Sequence, residues 1–412
     1  MFIIVSALTT LSVVFVIIVI FGLLVCLHEF GHFIAARRAG VLVEEFGFGM
    51  PPRLIGIQRI GKKWRIVKGS KVPTQIEHTI YSLNALPIGG FVKLYGDGTG
   101  GEGGEVMPKL AHRSFDNASV WWRAFVMVAG VAMNILLAVV IYYILLANNG
   151  FVSDQLPLIG EPKFAFGTVE KSIGIAAVLK DSPAEVAGLK SEDIVIEVRP
   201  HTKENRWLPV SKPTDLITIV KANDGVPVDV HVKDYTSGEE RVVTVKPIYN
   251  TKEKRAMIGT SLMDLVTIHY DKPQERLFAG WLHSWNMGSY NVQAIGSIFS
   301  IAVSEKNPKI IGDVVSGPVG IGRVIDKILK SSGTRTFENL LNLTALISIS
   351  LAFINILPLP ALDGGRVLFL LPEMLFRRKI NRKFEQYVNY VGFFILIGLS
   401  ILIAIKDIVG LW

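Results

Sequence analysis

His28-Glu29-Phe30-Gly31-His32 sets two imidazoles four residues apart, with a carboxylate beside the first. On a helix that spacing puts both rings on one face, where they can share a zinc ion. Glu29 then lies next to the metal and can serve as general base, taking a proton from the attacking water and passing it to the leaving amine. The pattern is that of a hydrolytic zinc site. A catalytic zinc keeps three protein ligands and leaves one position for water, so a third donor must come from elsewhere. Asp363 is the candidate. It sits in Leu359-Pro360-Ala361-Leu362-Asp363-Gly364-Gly365, at the end of an apolar run, where proline breaks the helix and two glycines let the backbone approach closely. A carboxylate placed at the edge of a membrane span points to a task for it.

The elements that must position these groups are membrane helices. The motif follows 27 residues without Lys, Arg, Asp or Glu. Four stretches are long and apolar enough to span: Ile4 to Leu27, Ala124 to Ala147, Leu341 to Leu362, and Val388 to Ile405. Leu277 to Val303 is also nearly charge-free, but Ser284, Asn286, Ser289, Asn291 and Gln293, with Trp281 and Trp285, fit an amphipathic helix on the membrane surface. No basic residue precedes the first span, whereas Arg37, Arg38, Arg53, Arg59, Lys62, Lys63 and Arg65 follow it, which predicts an N-terminus outside. With four spans, Asp363 returns to the depth of His28 and His32, near the cytoplasmic face. The basic run Arg377-Arg378-Lys379 with Arg382 and Lys383 agrees with that count.

Half of the 412 residues are apolar, too many for an ordinary soluble enzyme and enough for a membrane core plus a water-facing domain. The net charge of +8 arises from Lys and Arg clustered beside apolar segments, as in a membrane protein, and not from a basic nucleic-acid-binding domain. Cys26, the only cysteine, lies within the first apolar run, reads as a small buried side chain and excludes an intrachain disulfide. The first apolar stretch lacks a basic leader and exceeds the apolar core of a usual signal peptide, so it is expected to remain as a span.

Between the first two spans, Trp64 to Val67, Gln75 to Leu83 and Gly90 to Tyr95 read as strands of a small sheet near the active site. Gly96 to Glu105, with Asp97, Glu102 and Glu105, reads as a flexible solvated loop. Pro162 to Pro247 is more charged and carries β-type runs at Val228 to Val232 and Arg241 to Val245, as expected of a soluble domain outside the membrane. Asn134 and Asn355 are amides within apolar spans. Each either bonds helix to helix or holds the substrate backbone or the developing oxyanion.

The ordered set of motifs resembles the site-2 proteases, intramembrane zinc metalloproteases, and in particular their bacterial RseP-like branch. The resemblance runs through His28 to His32; Gly47-Phe48-Gly49 with Pro51; Gly89-Gly90-Phe91-Val92-Lys93-Leu94; Ala129-Gly130 through Asn134; Ser316-Gly317-Pro318-Val319-Gly320; and Asn355-Ile356-Leu357-Pro358 through Asp363-Gly364-Gly365. It implies that His28, His32 and Asp363 bind one Zn²⁺ per chain and that Glu29 is catalytic. It also implies that Gly90, Phe91, Val92, Lys93 and Leu94 belong to a membrane re-entrant sheet offering an edge to an unwound substrate, as β-augmentation would. Val178 to Val198, with Asp181-Ser182-Pro183-Ala184 and Ala187-Gly188-Leu189, resembles a PDZ domain, whose ligand loop would be Ile173, Gly174 and Ile175. Two departures stand out. Val131 replaces a proline that often follows Ala-Gly, and there is room for one PDZ domain where the best-known relative has two.

The expected fold is therefore a polytopic α-helical membrane protein of four transmembrane helices, with a small membrane-associated β-sheet and an extracytoplasmic α/β PDZ-like domain. Its parts are a first transmembrane helix with the zinc motif (1–38), a cytoplasmic-side loop with the re-entrant sheet (39–118), a second transmembrane helix (119–149), the PDZ-like domain (150–276), an extracytoplasmic amphipathic helix and connector (277–335), a third transmembrane helix with the aspartate ligand and a basic cytoplasmic loop (336–387), and a fourth transmembrane helix (388–412). The expected activity is hydrolysis of a peptide bond within or near the transmembrane segment of a single-span protein, an anti-sigma factor or a remnant signal peptide, in the bacterial inner membrane. Its partners are then that substrate and the lipid bilayer, with no nucleic acid. A zinc carrier or a non-catalytic PDZ membrane adaptor could use parts of the same sequence. A carrier would place further ligands along a path, however, and neither needs a base beside the metal.

Overall fold

An uninterrupted apolar run closes into one helix, α1 (Phe2–Arg38), which continues through the His-Glu motif because no residue after Leu27 breaks it. The computed structural model describes residues 2–69, 78–97, 107–235, 238–251, 253–307, 317–331 and 333–409. Among these, four helices are long and apolar enough to cross a membrane: Thr10–Arg38, Val120–Asn148, Thr336–Ile356 and Arg382–Val409. The Ala279–Ser304 helix is not one of them. The third span ends earlier than expected, its helix stopping at Ile356. Pro358 and Pro360 interrupt it, and Asp363 opens a new helix, Asp363–Phe376, rather than closing the old one.

The chain divides into two compact units, the first built from residues 1–141, 308–328 and 340–412 and the second from 142–307 and 329–339. In the first, β1 (Val43–Ile60), β2 (Lys63–Lys68) and β3 (Ile80–Leu94) form a sheet in the order β2-β1-β3. The eighteen-residue β1 was not expected; its glycines and its two prolines mask the strand pattern. β3 passes β1 twice, so that Gly47 pairs with both Phe91 and Ser82. The expected strand residues 75–77 and most of the Gly-rich loop, 98–105, lie outside the described residues. Phe33, Ala36, Val43, Leu94, Phe115, Val126 and Met127 form one buried cluster that joins α1 and the sheet to α2 (Val120–Asn148). Burial of each large apolar side chain contributes roughly 1.5–3 kcal/mol, so the sheet is fastened to the helix that carries the histidines.

The second unit contains a seven-stranded sheet in the order β4-β12-β5-β6-β8-β9, with β7 on β6. Its strands are β4 (Leu156–Pro157), β5 (Thr168–Val178), β6 (Asp193–Pro200), β7 (Leu208–Pro209), β8 (Val228–Asp234), β9 (Glu240–Val245) and β12 (Thr260–His269); β10 (Ile248–Asn250) and β11 (Arg255–Met257) pair separately. Two short helices pack on it. Ser182 caps α3 (Pro183–Ala187) by accepting from the Glu185 amide, and α4 (Pro213–Ala222) buries Leu216 and Val220. The Ala279–Ser304 helix turns its polar residues inward. The Asn286 carboxamide oxygen accepts from Ala165 N at 3.0 Å, and Gln293 accepts from Lys163 N at 2.9 Å. Trp281, Trp285, Ile295 and Phe299 are left exposed.

Candidate metal centre

The helical spacing brings the two imidazoles together as expected, with His28 and His32 8% and 7% exposed and their Nε2 atoms 3.2 Å apart. Asp363 Oδ2 lies 3.0 Å from His28 Nε2 and 3.3 Å from His32 Nε2. Three residues from two distant parts of the chain therefore aim one atom each at a common point. His32 Nδ1 donates to the Val126 carbonyl at 2.7 Å, which leaves Nε2 with a lone pair. A lone pair facing a second imidazole nitrogen and a carboxylate oxygen is repulsive unless a cation lies among them. Among the described residues, none donates a hydrogen bond to the buried Asp363 Oδ2. Four-coordinate zinc with bonds of about 2.0–2.1 Å sets its donors about 3.3–3.4 Å apart, close to the spacings here.

Close helix crossing creates the space. A Cβ on Gly130 of α2 would stand 2.5 Å from His32 Nε2 and 2.8 Å from His28 Nε2, filling the place where the donors meet. A Cβ on Gly31 would strike the Ala129 backbone and come within 2.8 Å of Met133 Cγ. Glycine at both positions lets α1 and α2 approach at the motif. Glu29 stands beside the histidines, with His28, Glu29 and His32 keeping ligand-type atoms within 4.8 Å of one another. Asp363 and Glu29 thus both stand beside the histidine pair, one from each of the chain's two contributions to this point.

Asp363 reaches this point through a turn held from outside. Ala361 has φ +69°, a left-handed conformation that alanine rarely adopts, and its amide donates to Asn389 Oδ1 at 3.0 Å. Side chains on Gly364 or Gly365 would run into the carbonyls of Ile356, Leu357 and Leu359, and one on Gly392 would strike Pro360. Arg366, one turn beyond Asp363, pairs with Asp97 at 3.2 Å. Sequence reading found Asp363 and its glycines but not Asn389, Gly392, Asp97 or Arg366. An asparagine and a glycine three residues apart in the apolar fourth span were the available signal.

The remaining expected site residues fall into three places. Gly90 comes against α1, its Cβ position 3.8 Å from Glu29 Cγ, so the Gly90–Leu94 segment passes Glu29 directly; Lys93 pairs with Glu44 at 3.2 Å. Among the described residues this segment pairs only with β1. Asn134 is 1% exposed and reaches His28, whereas Asn355 is half-buried one residue before the end of the Thr336–Ile356 helix. Ile173, Gly174 and Ile175 are not a loop. They lie within β5, between β12 and β6, with both isoleucines buried in the core of the second unit. Alternation of apolar and small residues there reflects a central strand. The groove of this unit lies elsewhere, between Leu216, Ile217 and Val220 of α4 and the Met257–Leu262 segment, with a volume of about 180 Å³.

Donor atoms that converge on one point, a glutamate at their side and glycines that open the space, with the histidines on a helix apolar enough to span, fit a zinc-dependent hydrolase built into a membrane protein. The family model for Peptidase family M50 matches residues 16–68 and 69–399. A Clostridium acetobutylicum protein provisionally named a zinc metalloprotease is 31% identical over 392 residues, covering 95% of this chain and 96% of its own. The zinc metalloprotease RasP of Geobacillus kaustophilus is 25% identical over 475 residues, 97% of this chain and 98% of its own. The regulator of sigma-W protease RasP of Bacillus subtilis is 25% identical over 468 residues, 95% and 97%. The chain belongs to Peptidase family M50, the site-2 proteases, and is a multi-pass zinc metalloprotease.

Proposed function

We propose that this protease cuts a peptide bond within or near the transmembrane segment of single-span proteins, after an outside cleavage has shortened them, with anti-sigma factors or remnant signal peptides as substrates. The observation that carries this is the Gly90–Leu94 strand lying against α1 at Glu29, inside a helix apolar enough to span. A helical substrate must unwind before a base can reach its backbone, and an unpaired strand edge holds an extended segment through its main chain at low sequence demand. The name of the Bacillus subtilis relative, a regulator of sigma-W protease, supports the anti-sigma class.

His28, His32 and Asp363 would hold the zinc. When bound, zinc supplies Lewis acidity to the scissile carbonyl and its attacking water. Glu29 takes the proton from that water and returns it to the leaving amine, while Gly90 to Leu94 fix the substrate backbone beside it. Asn355, at the end of its helix, would meet the substrate carbonyl. The second unit is read as the extracytoplasmic PDZ-like domain. Its groove along α4 takes a peptide end against the edge of β12 at Thr260 to Leu262, in place of the Ile173 to Ile175 loop first expected. The bacterial inner membrane is the location, with the N-terminus outside and the active site near the cytoplasmic face. Introduced cysteines near Asn307 and Ser331 should both label from outside; labelling from the cytoplasm requires another span.

The test of substrate delivery is photocrosslinking. A photoreactive side chain at Phe91 or Lys93, in the inactive Glu29→Gln background, should capture a model transmembrane substrate. If neither position captures it while positions around Asn355 do, the sheet is a support and the strand-addition reading is dropped.

A further inference from the structure

Both histidines must present Nε2 to the metal, so each must carry its proton on Nδ1 and needs an acceptor there. For His32 the acceptor is the Val126 carbonyl, 2.7 Å away on α2. For His28 the group at Nδ1 is Asn134, also on α2, with Nδ2 at 3.4 Å. In that orientation a donor faces a donor. The other end of the same carboxamide, Oδ1, is buried without a hydrogen-bond partner among the described residues. Half a turn about χ2 exchanges the two ends of an asparagine side chain, and the hydrogen-bond network decides which is present.

We propose that Asn134 is a positioning residue of the zinc centre, its carboxamide oxygen accepting the Nδ1–H of His28 and so fixing the tautomer that aims Nε2 at the metal. Asn134 and Val126 are eight residues apart on one helix. α2 therefore supplies the acceptor behind each imidazole as well as the glycine that clears the space in front of them. Ser348 holds the arrangement from a further span. Fully buried, it donates from Oγ to the Asn134 carbonyl at 2.8 Å, tying α2 to the helix that leads into the Asp363 turn. The 1% exposure of Asn134 and its contact with a metal ligand separate this role from a substrate or oxyanion contact, which would need the amide N–H groups directed into the cleft.

Asn134→Leu removes the acceptor at similar volume, and Asn134→Asp keeps an acceptor while removing the N–H donors. Zinc affinity of the purified full chain in detergent, measured by chelator competition, is the readout beside kcat and KM. Leu should weaken zinc binding about 10–100-fold, the usual effect of losing such an outer partner, and Asp should bind zinc as tightly as the wild type or more so. Unchanged zinc affinity in Leu with loss of cleavage would overturn the assignment in favour of a substrate contact. Asp binding zinc as weakly as Leu would also overturn it, since the acceptor is present in one and absent in the other. Thermal unfolding of the metal-free variants identifies a Leu protein that fails to fold, in which case the Asp variant decides alone.

Discussion

The His28–His32 segment and the Leu357–Asp363 turn deliver donors to one point by opposite means. The histidines owe their placement to the pitch of a single helix, whose backbone bonds are local and whose register is settled by the sequence around it. Asp363 owes its placement to contacts from other elements: Asn389 at Ala361, Gly392 at Pro360, and the Arg366–Asp97 pair. A motif on a regular helix tolerates changes outside its own face. A donor on an irregular turn depends on every neighbour that holds the turn.

The largest effect is expected where both devices meet. Gly130→Ala should abolish zinc binding and cleavage, because its methyl would occupy the space at His32 Nε2 and His28 Nε2. Metal analysis finding full zinc in that variant would mean that α2 does not close on the motif. Asn389→Leu should come next, releasing the Ala361 amide and lowering zinc affinity about 10–100-fold although residue 389 touches no ligand. Arg366→Gln should lower zinc affinity less than tenfold, since the ion pair with Asp97 is partly exposed and steadies the helix after Asp363 rather than the turn itself. If Arg366→Gln exceeds Asn389→Leu, the turn is held mainly through the helix behind it.

The smallest effect on the metal is expected from the second unit. Burial would raise the Asp229 carboxyl, but hydrogen bonds from Thr244, Arg199 and His201 outweigh it and hold it down at about 2. A depressed carboxyl contributes stability that is fully present above its unfolded value of about 3.9 and is lost as pH falls through about 2. Asp229→Asn should therefore lower the stability of this unit at neutral pH and flatten its acid dependence between roughly pH 4 and 2, leaving zinc content unchanged. Hydrogen exchange at β8 and β9 with pH, together with metal analysis, checks both halves.

What was legible in the sequence follows the same division. His28, Glu29 and His32 were readable because one helix places them, and Asp363 because a carboxylate between Pro360 and Gly364 marks a span edge. Four spans were readable from their apolar length. The break at Ile356 was not, since Leu357 to Leu362 is as apolar as the helix before it and only the positions of Pro358 and Pro360 signal the end. β1 escaped because Gly47, Gly49, Pro51, Pro52 and Gly56 interrupt its pattern while the pairing with β3 supplies the order. Ile173 to Ile175 was misplaced as a loop because small and apolar residues mark a buried central strand as well as a ligand loop. The inward-facing Asn286 and Gln293 show a similar ambiguity, as their polar face packs on backbone rather than meeting water. Asn389 and Gly392 act only through tertiary contact, announced locally by no more than an amide and a glycine within an apolar span.

The most direct measurement compares the wild type, Glu29→Gln and Asp363→Ala for zinc content and for cleavage of a model transmembrane substrate. If Glu29 is the base and Asp363 a ligand, Glu29→Gln retains one zinc per chain while cleavage falls about 10²–10⁴-fold, the usual contribution of general acid–base catalysis, and Asp363→Ala loses zinc and cleavage together. Full zinc in Asp363→Ala, or cleavage by Glu29→Gln at the wild-type rate, would contradict that assignment.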